Sequence, residues 1–143
     1  MTQQIQRRIL NEWLRERHPL ELATRDVRLG PSPVPDAKPG QPTIEEKYAK
    51  SGRRFIDCVI IRDDEVLFIE ADVVATPKTV GALENYVRLF SQTPELTKHQ
   101  GKKLRPILLA ALIPEDVRAM AKDKGYEYEE YRPAWVNQFV LRT

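Results

Sequence analysis

Cysteine and histidine are scarce in this sequence, which has one cysteine and two histidines in 143 residues. The lone Cys58 excludes an intrachain disulfide framework and any metal site built from several cysteines. Residues 1–10 lack the apolar run of a signal peptide, and the longest apolar stretch, residues 107–113, is far below the roughly 20 residues that a membrane-spanning helix requires. These absences predict a protein that does not enter a membrane and that works in a reducing, cytoplasmic compartment.

A large excess of charge of one sign is also missing. The 23 basic and 21 acidic side chains leave a formal net charge of +2, which excludes a strongly basic coat for nucleic acid or for a membrane surface. The distribution is uneven, because residues 1–54 carry +4, residues 55–95 carry −5 and residues 96–143 carry +3. An acidic centre between basic flanks suits a divalent cation and an anionic ligand, although solvated faces of uneven charge are the simpler explanation of the arithmetic.

Hydrophobic periodicity predicts a single domain over residues 1–143. Apolar residues at helical spacing predict an amphipathic helix over residues 3–16, and residues 24–29 alternate as a short strand. Five prolines in residues 30–43 predict an extended loop, which separates residues 1–29 from a core over residues 44–143.

The core begins with a predicted helix at residues 44–50. Two β-branched runs around a polar turn then predict a hairpin with strands at residues 55–61 and 66–71. The remaining predicted elements are helices at residues 79–91 and 115–124 and strands at residues 104–113, 126–131 and 135–141. The pattern predicts an α/β (α+β) fold, a mixed central sheet with flanking helices, in the order α-β-β-α-β-α-β.

Three carboxylates cluster in the predicted hairpin. Asp57 lies early in the first strand, and Glu70 and Asp72 close the second. Glu70 and Asp72 are two residues apart on an extended chain, so their side chains lie on the same face. Acids at the end of an apolar strand indicate either a divalent cation, which prefers clustered carboxylate oxygens, or strand ends that emerge into solvent. The residues alone leave both interpretations open.

The order of these motifs resembles the core of the PD-(D/E)xK nuclease superfamily. In that family a strand with an Asp leads through a hairpin to a strand that ends in E-x-K, and then to a helix that often reads Q-L-x-x-Y. Asp57 matches the first acid, Glu70 matches the second, and residues 83–86 match the helix signature. The likeness covers residues 44–130, in which residues 107–127 resemble the family's closing β-α-β unit.

The resemblance implies a restriction-endonuclease-like core and the hydrolysis of phosphodiester bonds in DNA. Asp57 and Glu70 would hold Mg²⁺ or Mn²⁺, which lowers the pKa of a bound water and offsets charge on the phosphate. The backbone carbonyl of Ala71 is a further implied ligand. A glutamate on a preceding helix, Glu45 or Glu46, would complete the site.

Basic side chains around this core are the implied contacts to DNA phosphates. They are Arg53, Arg54, Arg88, Lys102 and Lys103. Each of them taken singly is also compatible with an ordinary solvated charge. A domain this small generally needs help to grip both strands, so the expected partners are DNA and either a second copy of the chain or a larger protein assembly.

The chain departs from the family at the lysine of E-x-K, where it has Asp72. Asp72 is then a third metal ligand, or the lysine has moved, with Lys78 the nearest candidate and Arg88 the next, or the site is inactive. Ala82 also replaces the glutamine of the helix signature. The predicted catalytic set is Asp57, Glu70, Asp72 and Lys78.

Three functions remain open on this basis. They are a metal-dependent DNA endonuclease, a non-catalytic nuclease-fold subunit that binds nucleic acid or supports a larger assembly, and an unrelated α/β interaction domain. The other chemistry-bearing residues indicate structural roles. Cys58 is expected in the core, His18 and His99 on the surface without acidic partners, and Trp13 and Trp135 as core anchors.

Overall fold

A computed structural model describes residues 2–31 and 54–140 of the chain. Its helices are α1 (Thr2–Arg17), α2 (Pro77–Phe90), α3 (Glu115–Asp123) and α4 (Asn137–Val140), with short 3-10 turns at Pro94–His99 and Ala134–Val136. Its strands are β1 (Ala23–Leu29), β2 (Arg54–Ile61), β3 (Glu65–Val74), β4 (Lys103–Leu112) and β5 (Glu127–Glu130). The predicted helix at residues 44–50 and almost all of the predicted loop lie outside the described residues. None of the helices in the described ranges is both long enough and apolar enough to cross a membrane.

The five strands form one mixed sheet in which spatial order follows chain order. β1, β2 and β3 pair antiparallel, whereas β3, β4 and β5 pair parallel. The two parallel connections each pass through a helix, α2 or α3, as crossovers between parallel strands require. The predicted fold class, α/β with helices that flank a mixed central sheet, is confirmed.

Helices cover both faces of the sheet, and each face therefore has its own apolar core. α1 buries one stripe of apolar side chains on the first face, and this stripe consists of Ile9, Leu10, Trp13 and Leu14. α2 and α3 cover the second face, where Leu83 and Val117 are almost completely buried. β4 contributes alternate residues to the two cores, which explains its continuous apolar sequence.

The predicted last strand at residues 135–141 is wrong, because residues 134–140 form a 3-10 turn followed by the short helix α4. Val136 and Val140 are both buried while Gln138 between them is exposed, which fits the spacing of a helix and breaks the alternation of a strand. Trp135 packs against α1, where its indole nitrogen donates to Glu12 at 3.1 Å and the Arg8 guanidinium lies 3.8 Å from the ring centroid. Contact with α1 therefore outweighs the β propensity of this segment.

The expectation that His18 lacks an acidic partner is also wrong. Its Nδ1 lies 2.9 Å from Oε1 of Glu21, three residues further along the chain. The imidazole also packs on the buried Trp13 ring, with 4.7 Å between ring centroids. His18 therefore holds the chain in place as it leaves α1 and enters β1.

Candidate active site

The first two predicted acids meet where β2 and β3 separate. Pairing of the two strands runs from Ile61 opposite Val66 to Cys58 opposite Ile69, and it stops there. Asp57 is the next residue of β2, and its Oδ2 accepts a hydrogen bond from the backbone N–H of Ala71 at 2.8 Å. The Asp57 carboxylate thus lies between the two strands. It accepts the kind of hydrogen bond that a backbone carbonyl of β2 would accept in a continuous ladder.

A local break in strand alternation places Asp57 at this position. Ile56 belongs to the core under α2, whereas Cys58 belongs to the core under α1, although residues two apart on a regular strand share a face. In the register of β1 with β2, Asp26 and Asp57 lie opposite each other but are not paired. Asp26 has a φ of 52°. That left-handed conformation is uncommon for a residue other than glycine. It reverses which side chains of β1 point to each face of the sheet, directly beside the same reversal in β2.

Glu70 completes the pair from the adjacent strand. Its Oε1 accepts a hydrogen bond from the backbone N–H of Asp57 at 3.4 Å, which brings its carboxyl group next to the Asp57 carboxylate. Burial and the Asp57 charge together raise the pKa of Glu70 to about 9, and burial also raises the pKa of Asp57. Without a cation, the two half-buried acids therefore share one proton at neutral pH.

This donor set suits a hard divalent cation. Mg²⁺ is usually bound by one or two carboxylates, and water and substrate phosphate oxygens complete its coordination. Among residues 2–31 and 54–140, no group of three or more His, Cys, Asp or Glu side chains is arranged to hold a metal ion. Among the described residues, Asp57 and Glu70 are therefore a pair of acids and not part of a larger cluster of ligands. The other predicted ligands, Glu45 and Glu46, lie outside the described residues.

The structure does not bring Asp72 into this pair as a third acid of a metal cluster. Its Oδ2 accepts a hydrogen bond from the Thr79 hydroxyl at 2.9 Å, and its Oδ1 accepts one from the Val73 N–H at 2.8 Å. The Thr79 hydroxyl in turn accepts from the Thr76 N–H at 3.0 Å, within the capping box of α2. Asp72 still lies close enough to contribute to the raised pKa of Glu70. Its oxygens are used to connect β3 to α2.

Neither candidate for a displaced lysine contacts the acid pair. Lys78 is exposed in the first turn of α2, and within the described residues it forms no ion pair. Arg88 is exposed near the end of the same helix, and it donates to the Asn85 side chain at 2.5 Å. Within the described residues, α2 therefore places no positive charge in contact with the acid pair.

Two of the predicted phosphate contacts lie at the far end of the sheet. Lys103 lies opposite Glu65 in the register of β4 with β3. Glu65 is at the start of β3, five residues or about 16 Å from Glu70. Lys102 donates to the carbonyl of Arg62 at 2.7 Å, in the turn between β2 and β3. Because β3 and β4 are parallel, these lysines are separated from the acids by the length of the strand. Arg53 and the side chain of Arg54 lie outside the described residues.

Residues of α1 that sequence reasoning did not single out adjoin Asp57 instead. The Gln6 side-chain amide donates to Asp57 Oδ2 at 3.0 Å. Arg7 and Arg25 line a cavity of about 180 Å³ next to Asp57. Only the helical spacing of Gln3, Gln6, Arg7 and Leu10 in the sequence marks them as one face of α1. Nothing in that spacing indicates that the face meets a carboxylate some fifty residues further along the chain.

Comparison with known proteins gave structural neighbours only. No protein-family model and no curated protein matches the chain. The chain is similar to a repair endonuclease from Pyrococcus abyssi, with a TM-score of 0.48 and 15% identity over 89% of this chain and 47% of that one. It is also similar to EndoMS in a complex with dsDNA (TM-score 0.48, 16% identity, 89% of this chain and 44% of that one) and to EndoMS in apo form (0.42, 18%, 87% and 45%). The chain spans just under half the length of each of these structures.

Proposed function

We propose that the chain is a metal-dependent nuclease domain that hydrolyses phosphodiester bonds in DNA, with Asp57 and Glu70 as the residues that hold Mg²⁺ or Mn²⁺. The observation that carries the proposal is the contact between these two acids at the split between β2 and β3. Two half-buried carboxyls in contact are unfavourable when both are ionised, and a divalent cation removes that penalty.

The local hydrogen bonds prepare Asp57 for this role. The Ala71 N–H and the Gln6 amide both donate to Oδ2, which orients the carboxylate and favours its ionised form. Glu70 carries the shared proton and would release it when the site is loaded. The bound cation supplies two effects, a lower pKa for the attacking water and compensation of charge on the phosphate. The carbonyl of Ala71 remains the implied backbone ligand.

Cleavage of supercoiled plasmid DNA tests the proposal. We expect nicking with Mg²⁺ or Mn²⁺ and none with EDTA. We expect Asp57→Asn and Glu70→Gln each to lower the rate at least about 100-fold, since each removes a ligand charge from the metal. Asp64→Asn is the matched control, because Asp64 is an exposed acid in the β2–β3 turn, and its rate is expected to equal that of the parent.

Two outcomes would contradict the proposal in different ways. Equal nicking by the parent and by both site variants would assign the activity to a contaminant. A metal response in thermal unfolding without any nicking would favour a non-catalytic nuclease-fold subunit that has kept its acids.

A further inference from the structure

We infer that Arg7 and Arg25 bind a backbone phosphate of the nucleic-acid strand beside Asp57, and so supply the positive charge that is missing at Asp72. The inference rests on the proposed nuclease function and names the residues that position its substrate. Neither arginine belongs to the motifs that carry the family resemblance.

The cavity that both arginines line lies between α1 and the kink in β1 and β2. Gln6, Arg7 and Asn11 contribute from α1, Arg25 and Asp26 from β1, and Asp57 from β2. Its volume of about 180 Å³ is below the range of about 300–1,000 Å³ typical of sites for drug-sized ligands. A cavity of this size suits a single phosphate group, and one of its walls is the proposed metal ligand.

Arg7 and Arg25 are available to bind an anion. Both side chains are exposed, and within the described residues neither forms an ion pair. By contrast, Arg8, the next residue of α1, is paired with Glu12. A guanidinium donates several N–H groups in a planar fork, which matches the oxygens of a phosphate.

Packing holds the helix face that carries Arg7. Leu10, one turn after Arg7, and Trp13 are almost completely buried against the sheet. Gln6, immediately before Arg7, is hydrogen-bonded to Asp57. Arg7 therefore projects from a helix whose position relative to the acid pair is determined by a core and by a direct contact. Such anchoring is what accurate placement of a phosphate requires.

The acids in the cavity couple phosphate binding to metal binding. Asp26 and Asp57 line the same cavity, so an anion binds the metal-free cavity less tightly than it would bind the two arginines alone. A divalent cation at Asp57 and Glu70 would make the balance positive, and phosphate oxygens commonly complete the coordination of such a cation. Phosphate and metal are therefore expected to bind together more tightly than either binds alone.

Salt-dependent DNA binding tests the inference without cleavage. A fluorescent 20-base-pair duplex is titrated with Glu70→Gln protein in EDTA at several KCl concentrations. The titration is repeated with two double variants, in which Glu70→Gln is combined with Arg7→Ala or with Arg25→Ala. We expect each alanine variant to reduce the slope of log K against log salt by about one, as loss of one phosphate contact does. Arg7→Lys should keep the slope. Lys122→Ala is the matched control, because Lys122 is exposed on α3, which covers the opposite face of the sheet from α1, and it should also keep the slope.

Cleavage rates separate this inference from the proposed function. In the otherwise unchanged chain with Mn²⁺, we expect Arg7→Ala to lower kcat about 100-fold, since a positive charge at the phosphate is lost. If the parent cuts DNA while Arg7→Ala and Arg25→Ala keep both slope and rate, the arginine site is refuted and the nuclease stands. If nothing cuts but each alanine variant lowers the slope, the phosphate site stands and the nuclease does not.

Discussion

The Asp72 carboxylate accepts a hydrogen bond from the Thr79 hydroxyl at 2.9 Å, and this contact joins the end of β3 to the first turn of α2. Asp72 occupies the position that the lysine has in the E-x-K motif that the sequence resembles. Its partner belongs to a capping box, in which the Thr79 hydroxyl also accepts the Thr76 N–H. An acid at this position therefore has a structural role at the start of the helix that follows the site.

Removal of Asp72 is expected to reduce stability and to leave metal binding intact. Asp72→Ala leaves the Thr79 hydroxyl and the Val73 N–H without an acceptor, which should lower the free energy of unfolding by about 1–3 kcal/mol. Urea denaturation measures this loss, and the rise in melting temperature with Mn²⁺ should persist in the variant. Loss of the Mn²⁺ response in Asp72→Ala alone would instead make Asp72 a metal ligand.

The acid pair predicts a specific response to metal. A cation that binds only the folded chain stabilises it by about 2.7 kcal/mol at a concentration 100-fold above the dissociation constant. For a chain of 143 residues this corresponds to a rise in melting temperature of about 6–10 °C. We expect Mn²⁺ to produce this rise in differential scanning fluorimetry.

The double variant Asp57→Asn with Glu70→Gln is the informative comparison for this measurement. At neutral pH it removes the free-energy cost of keeping Glu70 protonated in the folded chain, so its metal-free melting temperature should exceed that of the parent. It should also show no response to Mn²⁺. An unchanged response in the double variant would place the metal elsewhere in the protein.

The metal-free chain is expected to lose stability as the pH rises. Glu70 has a pKa of about 9 when folded and an ordinary value near 4.5 when unfolded, so the folded state holds its proton over this window while the unfolded state does not. The stability that this proton contributes is complete below pH 4.5 and is lost as the pH rises towards 9. Between pH 5.5 and 8 the loss from this group is up to about 3 kcal/mol.

Urea denaturation in EDTA at pH 5.5, 7 and 8 measures this dependence. Glu70→Gln should flatten the pH profile, because the amide does not titrate. Asp64→Asn, the exposed control, should leave the slope as it is in the parent. An equally steep profile in Glu70→Gln would show that another group is responsible.

The tyrosine of the helix signature is expected to stabilise the strand that carries Asp57. The Tyr86 hydroxyl donates to the backbone carbonyl of Phe55 at 3.0 Å, two residues before Asp57, and the ring is almost fully buried. Tyr86→Phe should lower the free energy of unfolding by about 0.5–1.5 kcal/mol. Chemical denaturation of both proteins tests this value, and no measurable loss would mean that the hydrogen bond contributes nothing to stability.

Cys58 is expected to be chemically inert in the folded protein. The side chain is completely buried, and burial raises the pKa of the thiol to about 12, so very little reactive thiolate forms. A disulfide reagent at pH 8 should label it only after unfolding in urea. Rapid labelling of the native chain would contradict the predicted core position.

Local pattern was sufficient for most elements and for the acid pair. The polar turn after Ile61 is short, so it determines the register of the hairpin and brings Asp57 level with Glu70. The prediction that Cys58 points into the core is also confirmed. Cys58 follows Asp57 on the same strand, so its side chain points to the opposite side. Pattern was insufficient at residues 135–141, where contact of Trp135 and Val136 with α1 selects a helix.

The sequence by itself determined the hairpin, the order of strands and helices from residue 55 to residue 131, and the proximity of Asp57 to Glu70, because each depends mainly on neighbours close along the chain. Only the tertiary structure decided what surrounds the pair. It placed Gln6 and Arg7 beside Asp57, engaged Asp72 with Thr79, and put Lys102 and Lys103 at the other end of the sheet. These arrangements depend on how α1 packs on the sheet and on the parallel direction of β4. Both result from burial of apolar area in the two cores, to which residues throughout the chain contribute.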